Sequence, residues 1–259
     1  MKKKENNIIL IVAIIVVIAV IGAICFGYYQ KSTYTVEKPI VTMEIENMGT
    51  IKLELYPDVA PNTVKNFIAL ANNGFYDGLT FHRVVKDFMI QGGDKNGDGK
   101  GSPSLSDIDK SIAKDSDADK EYSIKGEFTK NGVENNIKFE RGVLAMARSD
   151  YSQISSSLAE KGYNSAGSQF FIMTKYNALL NGNYAAFGKV IEGMDVVDKI
   201  ESVEIAPQTE ENTATDKPVN PPVITKVTVD TKGVEYELPK TEDVFNYSNW
   251  LYSQYGLSN

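Results

Sequence analysis

An arginine among apolar and amide side chains is the chemically most informative feature of this sequence. Arg83 lies in the run FHRVVKDFMIQGGD (81–94), which also contains Phe88, Met89 and Gln91, and Phe171 lies in a second apolar run. A pocket built from these five side chains has neither a nucleophile nor a metal ligand, so it is poorly suited to breaking covalent bonds. It can hold an apolar ring while the guanidinium and the amide hydrogen-bond to a peptide backbone.

Rotation about an X-Pro peptide bond is a reaction that such a pocket could catalyse. The barrier of about 18–20 kcal/mol arises from amide resonance. A guanidinium that donates to the prolyl nitrogen as it pyramidalises stabilises the twisted state but not the planar ground state. About 4–6 kcal/mol of differential stabilisation would accelerate the rotation roughly 10³–10⁴-fold. No acid–base pair, metal or cofactor is required.

Residue counts exclude several other chemistries. The 259 residues include one His and one Cys, too few for an internal disulfide, a Cys-rich zinc site or a catalytic zinc held by several imidazoles. The only Cys, Cys25, lies in an apolar run, so we do not expect a Cys–His nucleophile pair. The net charge of −7 argues against a general nucleic-acid binder. We therefore predict no metal, no cofactor and no nucleic-acid partner.

One loop resembles the start of a calcium site. Asp94 to Gly99 offers oxygen ligands at the first, third and fifth positions and a Gly at the sixth. The twelfth position, where an EF-hand has a bidentate Glu, is Leu105. A calcium-dependent structural or adhesion domain therefore stays an alternative, but the missing acid argues against it.

The N-terminal region predicts a membrane anchor. Residues 8–27 carry no charge, and about 20 residues at 1.5 Å each match a hydrocarbon core of roughly 30 Å. Lys2 to Lys4 precede this run, which predicts a cytoplasmic tail at 1–7 and an extracytoplasmic remainder of a single-pass protein of the cell membrane. Secretion after signal-peptide cleavage is the alternative. A lipid anchor on Cys25 is disfavoured because Ile24 precedes it.

The rest of the chain predicts a mostly β domain. Alternating apolar residues predict a hairpin over 41–55, and apolar spacing from Pro61 to Gly74 predicts a helix. Further predictions are a second helix at 195–202 and short strands at 81–85, 88–91, 142–147, 169–173, 185–190 and 223–229. Many short strands with two helices favour a closed β-barrel whose ends the helices cover.

The same pattern predicts how the chain is divided. A tether at 28–38 leads into a domain at 39–232, which polar insertions interrupt at 95–123 and 149–166. The extension at 233–259 is rich in aromatic residues that either cover a flank of the barrel or meet a partner. Within strand 81–85, the period of two places Phe81, Arg83 and Val85 on one face and His82 on the other. We expect His82 to be a hydrogen-bonded structural residue.

Four motifs connect the sequence to a known family. They are FHRVVKDFMIQGGD (81–94), GVLAMA (142–147), SAGSQFFI (165–172) and FGKVIEGMDVVDKI (187–200). Through them the sequence resembles the cyclophilin-type peptidyl-prolyl cis-trans isomerases over about residues 40–230. The resemblance implies an eight-stranded antiparallel barrel with two capping helices, and isomerase activity on proline-containing polypeptides. With the predicted anchor, it implies action on exported or cell-surface proteins by a bacterial form.

The resemblance also implies roles for individual residues. It assigns catalysis to Arg83 with Gln91 and Phe88. It places four apolar side chains around the proline ring: Phe88, Met89, Phe171 and Leu180. Gln91 and Ala147 would hold the substrate backbone.

Three positions depart from the pattern of the best-known members. Leu179 stands where they have Trp, Tyr184 where they have His, and Arg148 where they have Asn. We expect all three to border the bound substrate, and Leu179 to weaken the binding of cyclosporin. A non-catalytic chaperone or scaffold that binds proline peptides at the membrane surface is the alternative function, against which the intact Arg83 argues.

Overall fold

The computed structural model describes residues 14–24, 37–208 and 216–256. The chain divides into two units, residues 1–37 and residues 38–259. In the first unit, residues 14–24 form a helix, α1, whose side chains are exposed. The remaining residues of the predicted anchor, 8–13 and 25–27, lie outside the described residues. Among the helices that the structure describes, none combines the length and the apolar character needed to cross a membrane.

The second unit is built on antiparallel strands. In chain order the ten strands are β1 (Ile40–Ile45), β2 (Gly49–Leu55), β3 (Arg83–Val85), β4 (Met89–Gly92), β5 (Tyr122–Ser123), β6 (Val143–Met146), β7 (Phe170–Met173), β8 (Ala186–Glu192), β9 (Ile224–Asp230) and β10 (Glu242–Asp243). Eight of them form one sheet in the order β3-β4-β7-β6-β8-β2-β1-β9, and β10 pairs with β5. Each strand predicted from the sequence is present, with bounds that differ by up to two residues.

The sheet is an open half-barrel, so the predicted closed barrel is wrong. Its edge strands are β3 and β9. The chain just before each edge strand approaches the other, since Thr80 forms an isolated bridge with Val223 and the Phe81 N–H donates to the Pro222 oxygen at 2.9 Å. These contacts do not extend into a ladder between β3 and β9.

Both predicted helices are present, together with short ones. The helices after α1 are α2 (Pro61–Asn72), α3 (Leu105–Ile108), α4 (Met194–Glu201) and α5 (Tyr247–Gln254). Pro61 begins α2, where its missing N–H costs no hydrogen bond. The apolar face of α2 packs on the sheet, where the Phe67 ring lies 4.9 Å from that of Tyr76 and 5.5 Å from that of Phe187.

A distant carboxylate caps the N-terminus of α2. The residue before the helix, Ala60, has no side-chain oxygen that could accept a hydrogen bond from the first turn. Glu127, which is buried, accepts hydrogen bonds from the Asn62 N–H at 3.0 Å and from the Thr63 N–H and hydroxyl, both at 2.7 Å. These bonds satisfy backbone donors that a helix start leaves unpaired and place a negative charge at its positive end.

The C-terminal extension lies against the two insertions. In the β5–β10 ladder, Glu242 pairs with Ser123 and Asp243 with Tyr122. The Phe245 ring packs on Tyr151 of the second insertion, with centroids 5.2 Å apart. This part of the extension therefore covers a flank of the domain.

Candidate active site

A cavity of about 150 Å³ opens beside β3, β4 and β7. Nine residues line it: Arg83, Phe88, Met89, Gln91, Ala147, Arg148, Phe171, Leu180 and Tyr184. All nine belong to the set singled out from the sequence. The tenth, Leu179, is not in the lining and has 82% of its surface exposed.

Strand pairing places the central residues side by side. Arg83 on β3 lies opposite Gln91 on β4, and Gln91 lies opposite Phe171 on β7. Directly opposed residues of antiparallel strands have neighbouring side chains. The register of three adjacent strands therefore brings a cation, an amide and an aromatic ring to one place.

The floor of the cavity is apolar and closely packed. Phe171 and Met89 belong to a buried cluster that partly buried Phe88, Leu180 and Tyr184 extend. The Phe171 ring lies 6.0 Å from that of Phe139 and 5.7 Å from that of Tyr184. Phe139 supports the floor from beneath and was not found from the sequence, because nothing around it signals a partner on β7. The arrangement offers a dry seat for a ring the size of proline.

Arg83 is held by a partner that the sequence did not reveal. One terminal nitrogen of its guanidinium donates to the Asp216 carboxylate at 3.2 Å, and 40% of the Arg83 side chain is exposed. The expected alternation of faces holds within β3 for Arg83, Val84 and Val85, but Phe81 precedes the strand and is buried in the main core with Val84. Arg83 lines the cavity beside the apolar floor, and its side chain is half-exposed there.

Gln91 connects the cavity to a neighbouring loop. Its amide donates to the Gln169 side-chain oxygen at 3.0 Å. The Gln169 amide in turn donates to the backbone oxygens of Gly99 and Gly101, at 3.1 and 3.2 Å. Two glutamines thus link β4, the approach to β7 and the loop that begins the first insertion.

Arg148 is clamped within the wall of the cavity. Its Nε donates to the Asn183 oxygen at 3.0 Å, and its guanidinium lies 4.6 Å from the Tyr184 ring centroid, 5.2 Å from Tyr163 and 5.6 Å from Phe128. Contact with aromatic faces satisfies a guanidinium without an acidic partner. Arg148 therefore forms a fixed part of the wall of this cavity, and it also lines the adjoining space.

His82 is buried and lies outside the cavity lining. Burial lowers the pKa of its ring below the ordinary value of 6.5, and the charge of Asp94 opposes this shift. The nearby Thr80 backbone also favours protonation, but neither ring nitrogen makes a hydrogen bond of standard geometry with the described residues. Its burial agrees with the predicted structural role, whereas the predicted hydrogen bond is not made with regular geometry.

The calcium-like loop is organised by its first carboxylate. Buried Asp94 accepts hydrogen bonds from the N–H groups of Asn96 at 3.3 Å, Asp98 at 2.7 Å and Gly99 at 2.6 Å. These bonds fold the loop that receives the Gln169 amide. In the ranges that the structure describes, no group of three or more His, Cys, Asp or Glu side chains is arranged to hold a metal ion.

Sequence comparisons identify relatives across most of the second unit. The profile of the family described as cyclophilin type peptidyl-prolyl cis-trans isomerase/CLD matches residues 40–229. The peptidyl-prolyl cis-trans isomerase CYP18-1 of Arabidopsis thaliana is 38% identical over 162 residues, which make up 62% of this chain and 82% of the relative. A peptidyl-prolyl cis-trans isomerase of Acinetobacter baylyi is 37% identical over 186 residues, or 70% of this chain and 81% of the relative.

Solved structures show the same fold. A cyclophilin type peptidyl-prolyl cis-trans isomerase of Cryptosporidium parvum matches with a TM-score of 0.57 and 29% identity, over 75% of this chain and 98% of that one. A second crystal structure from that organism, obtained in the presence of the dipeptide Ala-Pro, matches with a TM-score of 0.56 and 30% identity, over 74% of this chain and 98% of that one.

Proposed function

The chain belongs to the cyclophilin-type peptidyl-prolyl cis-trans isomerases, and from this membership we propose that it assists the folding of exported or cell-surface polypeptides. As an isomerase it accelerates rotation about X-Pro bonds. Uncatalysed rotation takes roughly 10–100 s at 25 °C, slow enough to limit folding. An exported chain that must fold outside the cytoplasm would benefit from a catalyst at the membrane surface.

The mechanism assigns one task to each part of the cavity. Phe88, Met89 and Phe171 hold the proline ring, while the carbonyl group before the proline remains free to rotate about the X-Pro bond. Arg83 donates an N–H to the prolyl nitrogen, whose lone pair becomes available only when rotation breaks the amide resonance. This hydrogen bond forms in the twisted state and not in the planar one, so it lowers the barrier.

The observation that carries this assignment is the position of Arg83 beside an apolar seat of about 150 Å³. We expect Arg83→Ala to reduce kcat/KM on a proline peptide by roughly 10²–10³-fold, the loss typical of removing one donor to a transition state. The melting temperature should change little, because the ion pair with Asp216 is half-exposed. Isomerisation of a short proline peptide by the full chain in detergent provides the measurement.

Arg141→Ala is a matched control, since Arg141 also pairs with an aspartate, Asp198, at the surface. It should retain wild-type activity. An Arg83→Ala variant as active as wild type would contradict the mechanism. Wild-type binding of proline peptides without turnover would instead favour the chaperone or scaffold.

Membrane attachment through residues 8–27 is part of the proposal. The uncharged run and the lysines before it support an N-terminus in the cytoplasm and a catalytic domain outside. Replacing both Val16 and Val17 by Asp should release the protein from the membrane fraction, because each central Asp costs about 2.5–3.5 kcal/mol of insertion free energy. Protease added to intact cells should digest the wild-type domain. Recovery of a shortened chain in the medium would instead support signal cleavage.

We also propose that cyclosporin binds this protein weakly. Leu179 is largely exposed and leaves the edge of the cavity without the broad indole that the best-known members carry. Leu179→Trp should therefore tighten cyclosporin binding in a titration, whereas Leu238→Trp, at another exposed leucine, should not. Equal affinities for wild type and Leu179→Trp would contradict this proposal.

A further inference from the structure

A second cavity adjoins the one that holds the proposed catalytic residues. It has a volume of about 460 Å³, compared with about 150 Å³ for the first. Three residues, Gln91, Ala147 and Arg148, line both. A peptide whose proline occupies the first cavity can therefore continue into the second.

Most of the second cavity is made by polar groups. Its lining includes residues 99–102, Gln169 and three serines, Ser149, Ser165 and Ser168. Two cavity-lining side chains, Tyr151 and Val244, offer apolar surface instead. Tyr151 comes from the second insertion and Val244 from the C-terminal extension.

The extension is fixed firmly enough for Val244 to form part of the wall. The Asn62 side chain makes two hydrogen bonds with the backbone of Lys240, at 2.9 and 2.8 Å. Asp243, next to Val244, pairs with Tyr122 in the β5–β10 ladder, and its carboxylate forms an ion pair with Lys120 at 2.7 Å. On the other side of Val244, the Phe245 ring packs on Tyr151.

We propose that the C-terminal extension is part of the substrate groove, and that Val244 and Tyr151 select the residues flanking the proline. The inference rests on the proposed function and adds a determinant of specificity to it. The ligand is an extended peptide segment with uncharged side chains. Polar groups of the lining bond its main chain, while Val244 and Tyr151 pack against a side chain.

The charges at this cavity support an uncharged segment. Lys100 and Glu121 both line it and are exposed, while the third charged residue of the lining, Arg148, is held by the Asn183 oxygen and the Tyr184 ring. For a charged substrate, attraction to one of these exposed residues, Lys100 or Glu121, is offset by repulsion from the other. A volume of about 460 Å³ accommodates more than one side chain.

Narrowing the cavity from the extension tests the proposal. Val244→Trp should raise KM about five-fold for a long uncharged peptide that reaches the second cavity, with little change in kcat. A minimal proline substrate that occupies only the first cavity should be turned over at the wild-type rate. Isothermal titration of the long peptide should show the same loss of affinity, which separates the inference from turnover.

Val234→Trp is a matched control, because Val234 also lies in the extension and has 37% exposure against 36% for Val244, yet lines neither of the two cavities. Tyr151→Ala is a second test, and it should also weaken long-peptide binding. Equal long-peptide affinity in Val244→Trp and Val234→Trp would overturn the inference, as would an equal loss on both substrates. A wild type that binds the long peptide but turns over neither substrate would overturn the catalytic function alone.

Discussion

At the scale of single residues, the partner of Arg83 determines how well the guanidinium is placed. Gln91 lies opposite Arg83, but its amide is bonded to Gln169. The hydrogen bond that the structure gives the Arg83 guanidinium goes instead to Asp216. Asp216 is therefore a positioning residue that limits the rotation of Arg83 at the cavity rim.

We expect Asp216→Asn to lower kcat about two- to five-fold, because a half-exposed ion pair contributes roughly 0.2–1 kcal/mol. KM should stay near the wild-type value, since Asp216 does not line the cavity. Asp216→Glu should recover part of the loss, and high salt should reduce the difference from wild type. Asp119→Asn, an equal charge change at an exposed site, is the control. Unchanged kcat in Asp216→Asn would refute this role.

His82 makes stability depend on pH. Burial, the main cause, lowers the pKa of its ring in the folded state. Below pH 6.5 the unfolded chain therefore binds more protons than the folded chain. The stability that comes from a neutral His82 is complete above 6.5 and is lost as pH falls toward the folded-state pKa. Melting temperatures of wild type and His82→Gln, measured across this range, should show a smaller acid-induced decrease for the variant. Parallel curves would contradict the assignment.

At the scale of elements, the remote cap makes α2 depend on another part of the chain. Glu127→Ala should lower the free energy of unfolding by about 2–3 kcal/mol, because it leaves backbone donors of α2 without partners. Glu134→Ala, an exposed glutamate seven positions later, should change it by less than about 0.5 kcal/mol. Urea unfolding of both variants provides the comparison. Similar urea midpoints for the two variants would show that water bonds the backbone donors of α2 as well as the Glu127 carboxylate does.

The elements were largely predictable because their signals are local. Apolar alternation located the hairpin of β1 and β2, and apolar spacing with Pro61 located α2. Glu127 was not predictable as a cap, since it is 65 residues away from Asn62 and carries no sequence signature. The same holds for Asp216, which lies 133 residues from Arg83. Both depend on tertiary contacts that no periodicity encodes.

At the scale of the whole molecule, motif order predicted the fold and nine residues of the cavity lining. The closed barrel was wrong because only a few hydrogen bonds, which form no regular strand pairing, join residues 78–84 to residues 216–224. The sequence also left open whether the C-terminal aromatics meet a partner or cover a flank. For Phe245, which packs on Tyr151, the answer depended on pairing between β5 and β10, which are too short to produce a pattern.

The C-terminal extension also determines which part of this protein its intrinsic fluorescence reports on. The chain has a single tryptophan, Trp250, on α5, where its ring stacks on Tyr247 at 5.8 Å. Neither ring lies in the sheet core or in the first cavity. Intrinsic tryptophan fluorescence is therefore a built-in optical probe of the extension alone. Unfolding followed by this emission will trace the C-terminal segment, whereas loss of the sheet must be followed by circular dichroism.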